Sequence, residues 1–442
     1  MSAHDVVWLA LLNISICAIG ASVVELLLAD GMYRRSERLA LGYAVGFAVV
    51  GIATAHLALV GVAVGPRGLL LAAVVLGAAA FGPDLRRRKR FRPHVSLGWV
   101  DGLLFTSIAA ICVSATVAAT RLPLDQWDGW AIWASRARSL YDLGGVHGPP
   151  FTSSAYSATH LDYPLVLPSL EALVFRSLGR FDGKLVHVEL VGLLLAFLLA
   201  LWALLHRRAP AAVVALVVLS IGASPFVLAR LASNYADVPL AFFVSLGLVA
   251  LVLAIESRSS RLLCLAALFL AAAALTKNEG MVFTGLALVS AWLVFPDARR
   301  RLPLVAFAVV LAILPWRVFL AVHGISNIDY RVSNIVSVSY LSDHANRAAP
   351  AVGGLALGSL TDWEVLPILA VLAIVVALVR GERRRAVFVL AWACMSFTAL
   401  VAIYVISRLP IHVHIDQSAS RIVATIVIGA TSMAPLLVST SR

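Results

Sequence analysis

The sequence is poor in charge and rich in apolar residues. Only 13% of its 442 residues are charged and 61% are apolar, whereas a soluble globular domain carries about 25% charged residues. The formal net charge of +12 raises the question of nucleic acid, but no soluble segment is long enough to fold around a duplex. Water is therefore excluded as the main solvent of the chain, and nucleic acid as its partner.

Cysteine is scarce, and several catalytic signatures are missing. The four cysteines, Cys17, Cys112, Cys264 and Cys394, lie inside apolar runs without the spacing of a metal site. The chain has no G-x-x-x-x-G-K-[ST], H-E-x-x-H or G-x-S-x-G motif, which argues against an ATP-driven pump, a zincin protease and an α/β-hydrolase. It also lacks a convincing internal repeat, which disfavours a transporter built from two related halves.

Long apolar runs recur along the whole chain, and runs of about 20 residues match the thickness of the membrane hydrocarbon core. We expect an all-α, polytopic membrane protein with about 13 transmembrane helices and with interfacial helices in its first large outer loop. The chain start lacks a basic region, so the first run is expected to be a retained span. The predicted spans cover residues 6–29, 39–63, 67–83, 98–120, 184–205, 210–229, 237–255, 262–275, 280–296, 302–321, 363–380, 386–406 and 419–438.

Lysine and arginine divide the connections between spans into two sets. By the positive-inside rule the basic set faces the cytoplasm, which predicts an outer N-terminus and a cytoplasmic C-terminus in a cell membrane, with the bacterial inner membrane as the expected setting. The outer set holds most of the acidic residues and histidines, so we expect an extracytoplasmic active site. The basic set contains Arg34, Arg35, Arg38, the cluster 86–92, Arg207, Arg208, Arg258, Arg261, Arg299, Arg300, Arg301, Arg380, Arg383, Arg384 and Arg385. The outer set comprises 121–183, 230–237, 276–280, 322–362 and 407–418.

The first large outer loop opens with an acidic and aromatic motif, D-Q-W-D-G-W-A-I-W from Asp125. A helix from about Asp125 would place Asp125 and Asp128 on one face, with an aromatic stripe beside them. Trp is enriched at the membrane interface, so we expect the helix to lie there. The carboxylates are either solvated parts of an anchor, or one is a general base whose neighbour tunes it or holds a divalent cation. The stripe consists of Trp127, Trp130 and Trp133.

Two further outer segments carry acids next to prolines. His160 and Asp162 precede a turn that is expected to lead into a short helix, and they either line a substrate groove or simply solvate the turn. Asp237 precedes Val-Pro at the start of a span. It is placed as a helix N-cap, and it is also a site candidate on the same face as Asp128.

The turn Thr276-Lys277-Asn278-Glu279-Gly280 joins two closely spaced apolar runs. A Lys and a Glu at a membrane boundary are costly unless they are paired or liganded. Lys277 is therefore either a cation for a phosphate group, or part of an ion pair with Glu279, or a lysine that extends to the membrane surface.

The last outer segment runs from Arg408 to Arg421. His412 and His414 alternate, which would put them on one side of an extended strand, where they could bind a metal together with Asp416. No third histidine completes a zinc site. Arg421 begins an apolar run, a position that indicates a lipid phosphate or an acidic partner.

Together these motifs resemble the membrane-embedded GT-C glycosyltransferases, which take a sugar from a polyprenyl-phosphate carrier on the outer face. The resemblance covers spans four to ten. Two features differ from the family: three spans precede this region, and the acidic motif is Asp-x-x-Asp rather than the adjacent Asp-Glu of the protein mannosyltransferases. The resemblance rests on Asp125 and Asp128 after span four, on Asp237-Val-Pro, and on Thr276-Lys277, which is similar to the Thr-Lys element of lipid A aminoarabinose transferases and related mannosyltransferases.

The resemblance implies an inverting transfer, in which a hydroxyl of a glycan, lipid or protein acceptor attacks the anomeric carbon and polyprenyl phosphate leaves. Asp128 or Asp125 would be the base, with Asp125 preferred because it lies closer to the span end. Lys277 is the leading ligand of the donor phosphate, followed by Arg421 and Arg408. The expected substrate-binding residues are Trp127, Trp130, His160, Asp162, Asp237 and Glu279.

The resemblance also implies three regions. Residues 1–97 would hold transmembrane helices 1–3, residues 98–321 a seven-helix module with outer loop 121–183, and residues 322–442 an outer loop and transmembrane helices 11–13. The alternative function is a multi-pass lipid or solute transporter or flippase. It predicts charges in the middle of spans, whereas here they gather at outer boundaries. No cofactor is assigned beyond an optional divalent cation.

Overall fold

The computed structural model describes residues 2–28, 33–86 and 98–439, and the regular secondary structure of this part of the chain consists of helices, without a strand. The prediction of an all-α protein is confirmed. Most of the basic cluster 86–92 lies outside the described residues. The helices are α1 Ala3–Leu28, α2 Arg35–Leu59, α3 Pro66–Arg86, α4 Trp99–Ala119, α5 Ser135–Leu143, α6 Pro149–Thr152, α7 Val166–Leu178, α8 Val186–Leu205, α9 Ala211–Gly222, α10 Pro225–Ala232, α11 Asp237–Glu256, α12 Ser260–Ala274, α13 Asn278–Val294, α14 Leu302–Val322, α15 Val338–Asp343, α16 Ala348–Thr361, α17 Val365–Val379, α18 Arg383–Ile406, α19 Ile411–Ile422 and α20 Ala424–Val438, and a π-helical segment, Asp128–Ala134, precedes α5.

Eight helical stretches of the described chain are long and apolar enough to cross a membrane, or up to ten if each of two bent helix pairs is one span. The chain is therefore a multi-pass membrane protein. The expected count of 13 is not confirmed, although every predicted apolar run coincides with one or two helices. One bent pair, α9 and α10, turns by 43° where Pro225 begins the second helix, because proline cannot continue the hydrogen-bond ladder.

Helix α11 forms the centre of the bundle. It is apolar on all sides, and 94% of its most apolar stretch is buried, as expected for a helix without a polar face. It packs against α12, α20 and α8. Helix α4, by contrast, is only 22% buried over the same length and faces outward. Asp237, the first residue of this central helix, is therefore buried in the interior of the protein.

The described parts of the two sets of connections lie at opposite ends of the bundle, separated by α11, which is about 30 Å long. The site end, formed by the five predicted outer connections, is held together by contacts such as the backbone bridge between Tyr330 and Ser407. The basic end is formed by the arginine-rich connections. There Arg385 pairs with Glu256 at 2.5 Å and Arg207 pairs with Glu37 at 2.5 Å.

Candidate functional site

A buried cluster of charged side chains lies at the site end. The Nζ atom of Lys277 lies 2.8 Å from Oδ1 of Asp237 and 3.2 Å from Oε1 of Glu279. Arg421 forms an ion pair with Asp128, and its Nη1 lies 3.8 Å from Oδ2 of Asp237. The structure therefore brings together five of the residues singled out in the sequence, and these five come from four separate connections. We call them the ion cluster.

Lys277 owes its position to the tight turn between α12 and α13. A Cβ atom on Gly280 would lie 2.0 Å from the carbonyl oxygen of Ala273, so only glycine allows the two helices to approach this closely. Burial opposes the charge of Lys277, but the carboxylates of Asp237 and Glu279 outweigh it and raise its pKa above the ordinary value. Lys277 is a buried ammonium ion. Its contact with Glu279 is the ion pair that was one of the interpretations of this turn.

Asp237 is the first residue of α11 rather than its N-cap. The preceding residue, Ala236, occupies the cap position, and Oδ1 of Asp237 accepts a hydrogen bond from Lys277. The capping interpretation is therefore wrong. The physical reason is that a buried ammonium ion beside the carboxylate gives a stronger interaction than a backbone N–H group.

Arg421 reaches the cluster from the end of α19, where the predicted last span, 419–438, begins, but residues 411–418 of this helix were not predicted as helical. The guanidinium lies over the ring of Tyr235, 4.8 Å from its centroid. The strand predicted for His412 and His414 is wrong: residues two apart on a helix point to nearly opposite sides. His412 is exposed, and His414 stacks on Tyr404 with 4.1 Å between centroids.

The described residues contain no group of three or more His, Cys, Asp or Glu side chains arranged to hold a metal ion. Asp416, the acid proposed to join the two histidines, is exposed on α19. The geometry of this part of the chain thus offers protein cations, rather than a metal cage, as the positive charges of the site.

Asp128 lies at the start of the π-helical segment, with its side chain 20% exposed. The helix begins after Asp125, so the predicted shared face of the two acids is not formed. Asp125 is exposed and accepts a hydrogen bond from its neighbour Gln126 at 3.3 Å. Of the two acids, Asp128 is the one that contacts the ion cluster.

The predicted tryptophan stripe divides into an exposed pair and a buried ring. Trp127 and Trp130 are 56% and 46% exposed and meet edge to face at 5.1 Å. Trp133 is buried and stacks on Tyr163 at 5.3 Å. The exposed pair suits the membrane interface, while the buried ring fixes the segment to the rest of the site end.

A second polar layer adjoins the ion cluster and centres on Asp162. Its Oδ2 accepts hydrogen bonds from Asn278 at 2.5 Å and from Asn327 at 2.8 Å. The Nδ1 atom of His160 lies 3.6 Å from Oδ2 of Asp329. The pKa of Asp329 is raised, chiefly by burial and further by the nearby carboxylates, although His160 opposes the rise. The short helix predicted after this turn is α7.

Asn327, Asp329 and Tyr330 were not identified from the sequence. The sequence does contain a signal for them, since two stretches share the pattern of a polar residue, an apolar residue, Asp and Tyr. One is Asn327-Ile-Asp-Tyr after α14, and the other is His160-Leu-Asp-Tyr before α7. Each stretch puts an acid and a tyrosine into the polar layer. Arg408, expected at the donor phosphate, is exposed, and its backbone N–H donates to the carbonyl of Asp329 at 2.8 Å, outside the ion cluster.

Several buried polar atoms of the site have no hydrogen-bond partner within the described chain. Buried polar groups are nearly always hydrogen-bonded, so such a group of atoms suits a polar ligand. They include Nε of Arg421, Oε2 of Glu279, Oδ1 of Asp162 and Oδ1 of Asn278. The arrangement offers the Asp128 carboxylate at the boundary of the site, the buried cation Lys277, the partly buried cation Arg421 and unfilled hydrogen-bonding capacity among the neighbouring side chains. No protein-family model, curated protein or solved structure matches this chain.

Proposed function

We propose that this chain is a membrane glycosyltransferase that moves a sugar from a polyprenyl-phosphate carrier to a hydroxyl acceptor on the extracytoplasmic face. The observation that carries the proposal is the convergence of Asp128 with Lys277 and Arg421. A transfer of this kind needs a base beside the acceptor and positive charge beside the departing phosphate. The ion cluster supplies both within one buried group.

The contacts of Arg421 suggest how the donor engages the site. In the absence of a ligand, Asp128 and Asp237 neutralise Arg421. A donor phosphate that binds Arg421 and Lys277 competes with Asp128 for the guanidinium, because both ligands are anions with the same hydrogen-bonding geometry. Donor binding then frees the Asp128 carboxylate next to the anomeric carbon.

The proposed reaction uses this geometry in the following way. The carboxylate of Asp128 takes the proton of the acceptor hydroxyl, and the hydroxyl oxygen forms a bond to the anomeric carbon from the side opposite the phosphate. The bond between that carbon and the phosphate oxygen breaks with inversion, and its electron pair leaves on polyprenyl phosphate. Lys277 and Arg421 neutralise the charge that develops there.

The proposal places the site end outside the cytoplasm and the basic end inside, with an outer N-terminus, a cytoplasmic C-terminus and the bacterial inner membrane as the setting. The predicted seven-helix region, 98–321, supplies Asp128, Asp237 and Lys277. Arg421 belongs to the region 322–442. We therefore include the C-terminal region in the catalytic unit.

The test is to compare polyprenyl-linked sugars and envelope glycans by mass spectrometry in cells with the wild-type gene, with Asp128→Asn, and without the gene. We expect the donor to accumulate and one glycan to lose a sugar in the last two strains alike. A flippase would instead move the carrier from one side of the membrane to the other. The purified protein would then not transfer the sugar to an acceptor. Unchanged carriers and glycans in all three strains contradict the proposal.

A further inference from the structure

Glu171 is a buried acid outside the ion cluster. It lies on α7 with no exposed surface, and neither carboxyl oxygen has a hydrogen-bond partner. Burial raises its pKa well above the ordinary value, and the side-chain amide of Asn234 opposes this rise. An ionised carboxylate is unfavourable in a dry interior where no hydrogen-bond donor compensates its charge. The neutral carboxylic acid is the form that suits this position.

Asn234 has its side-chain amide next to Glu171 of α7 and contacts the Asp128 segment. It is fully buried, and its Nδ2 donates a hydrogen bond to the carbonyl oxygen of Gly129 at 3.3 Å, while its Oδ1 has no partner. The backbones meet closely, since a Cβ atom on Gly129 would lie 2.1 Å from the carbonyl oxygen of Ser233. Asp128 is the residue next to Gly129.

The unpartnered carboxyl oxygens of Glu171 and the unpartnered Oδ1 of Asn234 can form a hydrogen bond only if Glu171 is protonated. We propose that Glu171 is a neutral carboxylic acid whose O–H donates to Oδ1 of Asn234 and so holds the Asp128 segment in position. An ionised Glu171 has no hydrogen to donate. It would compete with Gly129 for the Nδ2 group of Asn234 and loosen the segment. Glu171 is thus a positioning residue that acts through Asn234.

Charged groups on the elements that pack against α7 have other hydrogen-bond or ion-pair contacts. Arg136 on α5 donates to the carbonyl oxygens of His160 and Tyr163, Glu189 on α8 accepts from Asn13, Asp128 pairs with Arg421, Asp5 on α1 pairs with Arg180, and His56 on α2 contacts the carbonyl oxygen of Ala312. The protonation of Glu171 is therefore set by burial and by Asn234.

The test needs no substrate. Wild type, Glu171→Gln and the control Asp142→Asn, an exposed acid on α5, are melted in detergent at a series of pH values. Because the acid form is favoured in the folded protein, wild type loses stability as the pH rises above the ordinary glutamate value of 4.5. Glu171→Gln keeps a donor at every pH. We expect the melting temperature of Glu171→Gln minus that of wild type to rise by on the order of 1 °C per pH unit.

Infrared difference spectra between wild type and Glu171→Gln give a second measurement. We expect a carboxylic-acid C=O band at neutral pH that is present in wild type and lost in the variant. Parallel pH dependence of the two melting temperatures, or the absence of that band, overturns the proposal. Neither readout depends on the glycosyltransferase proposal, so the two can fail separately.

A separate observation concerns the basic end, where a cavity of about 790 Å³ is lined by Arg207, Arg208, Arg380, Arg385, Glu256 and Ser439, among others. Arg385 is buried and donates to both carboxylate oxygens of Glu256, so these two charges cancel. Arg207 pairs with Glu37. Arg208 and Arg380 form no ion pair within the described residues.

We infer that this cavity binds the phosphate of an anionic phospholipid from the adjacent leaflet. Basic pockets between membrane helices at the cytoplasmic side commonly hold such headgroups. Within the described residues neither Arg208 nor Arg380 has an anionic partner, and Arg380 donates to the carbonyl oxygen of Val438, a neutral group. Both side chains therefore supply positive charge to the cavity, which has room for a phosphodiester headgroup. Inorganic phosphate shares this chemistry and is the alternative source of the ligand.

Native mass spectrometry distinguishes the two sources. The protein in phosphatidylcholine nanodiscs is supplied with phosphatidylglycerol in one arm and with inorganic phosphate in the other. We expect wild type to retain phosphatidylglycerol and the double variant Arg208→Gln/Arg380→Gln to lose at least about ten times in affinity, two charge-assisted contacts being removed. Arg383→Gln, on the same connection but outside the cavity lining, is the control. Equal retention by all variants, or retention of phosphate alone, overturns the inference.

Discussion

Arg421 forms an ion pair with Asp128, a residue 293 positions earlier in the chain. The pair joins the π-helical segment after α4 to the end of α19, and Asp237 of the central helix lies beside it. The carboxylate that could act as a base and the cation that could hold a phosphate are thus directly linked. The five predictions that follow test this link and the surroundings that maintain it.

The first prediction concerns the base. Asp128→Asn is expected to lower sugar transfer from a polyprenyl-phosphate donor by about 10²–10⁴-fold, the usual contribution of a general base. Asp125→Asn is the matched variant, an exposed acid three positions earlier, and we expect a much smaller effect. Turnover is measured in proteoliposomes with a labelled donor. Normal turnover in both variants would show that neither acid is the base.

The second prediction concerns the phosphate ligand. Lys277→Gln keeps a hydrogen bond to Asp237 but removes the charge, so the affinity for polyprenyl phosphate should fall by roughly 10–100-fold. Lys184→Gln, which removes an exposed lysine at the site end, is the control and should bind normally. Binding is measured by titration with undecaprenyl phosphate. Unaltered affinity in Lys277→Gln rejects its role.

The third prediction is a double-mutant cycle on Asp128 and Arg421. Each single change, Asp128→Asn and Arg421→Gln, should destabilise the protein because it leaves a partly buried charge without its partner. The double variant should lose less than the sum of the two, with a coupling on the order of 1 kcal/mol. Thermal unfolding in detergent gives the three values. Strict additivity would mean that the pair is not formed in solution.

The fourth prediction concerns Gly129. The variant Gly129→Ala is expected to destabilise the protein by about 1–3 kcal/mol, because its Cβ atom would collide with the backbone of Ser233. Gly353 on α16 has nothing within 4 Å of such an atom, so Gly353→Ala is the matched control and should be neutral or slightly stabilising. Equal melting temperatures for the two variants would contradict the close contact.

The fifth prediction concerns sidedness. In a variant free of native cysteines, a cysteine at Gln126 should react with a membrane-impermeant reagent from outside the cell, and a cysteine at Arg383 only after the membrane is opened. Both positions are exposed, whereas Asn278 at the same end is 9% exposed and unsuitable. The reverse pattern would place the site end in the cytoplasm and remove the basis for the proposed function.

The helices could be predicted because apolar run length is a local property of the sequence. Breaks at proline and glycine marked most of their limits. Helix α16 was missed because it lies within a connection that carries charges. Residues 411–418 of α19 were missed because their two histidines alternate as they would in a strand, and only the end of this helix fell within the predicted span 419–438. In both cases the packing against neighbouring helices, which the sequence does not show, decides the conformation.

The ion cluster was largely identified because charge at a membrane boundary is costly and therefore conspicuous. Its pairing was not predicted beyond Lys277 and Glu279, since the other contacts join distant connections. Glu171 and Asn234 were missed for a different reason. Both are isolated polar residues in ordinary sequence, and only the packing of α7 against the Asp128 segment brings them together.

The π-helical segment has a consequence for the register of the site. Its turns contain more residues than those of an α-helix, so the stretch 128–134 holds a residue that an α-helix would not accommodate. Deleting one residue there would relax the segment to α-helix and leave Asp128 and α5 in nearly the same relative orientation, because six residues at about 100° each turn about as far as seven in the wider helix. The extra residue therefore changes the directions of the side chains inside the segment, among them Trp130 and Trp133, while the two ends keep the register that an α-helix would give them.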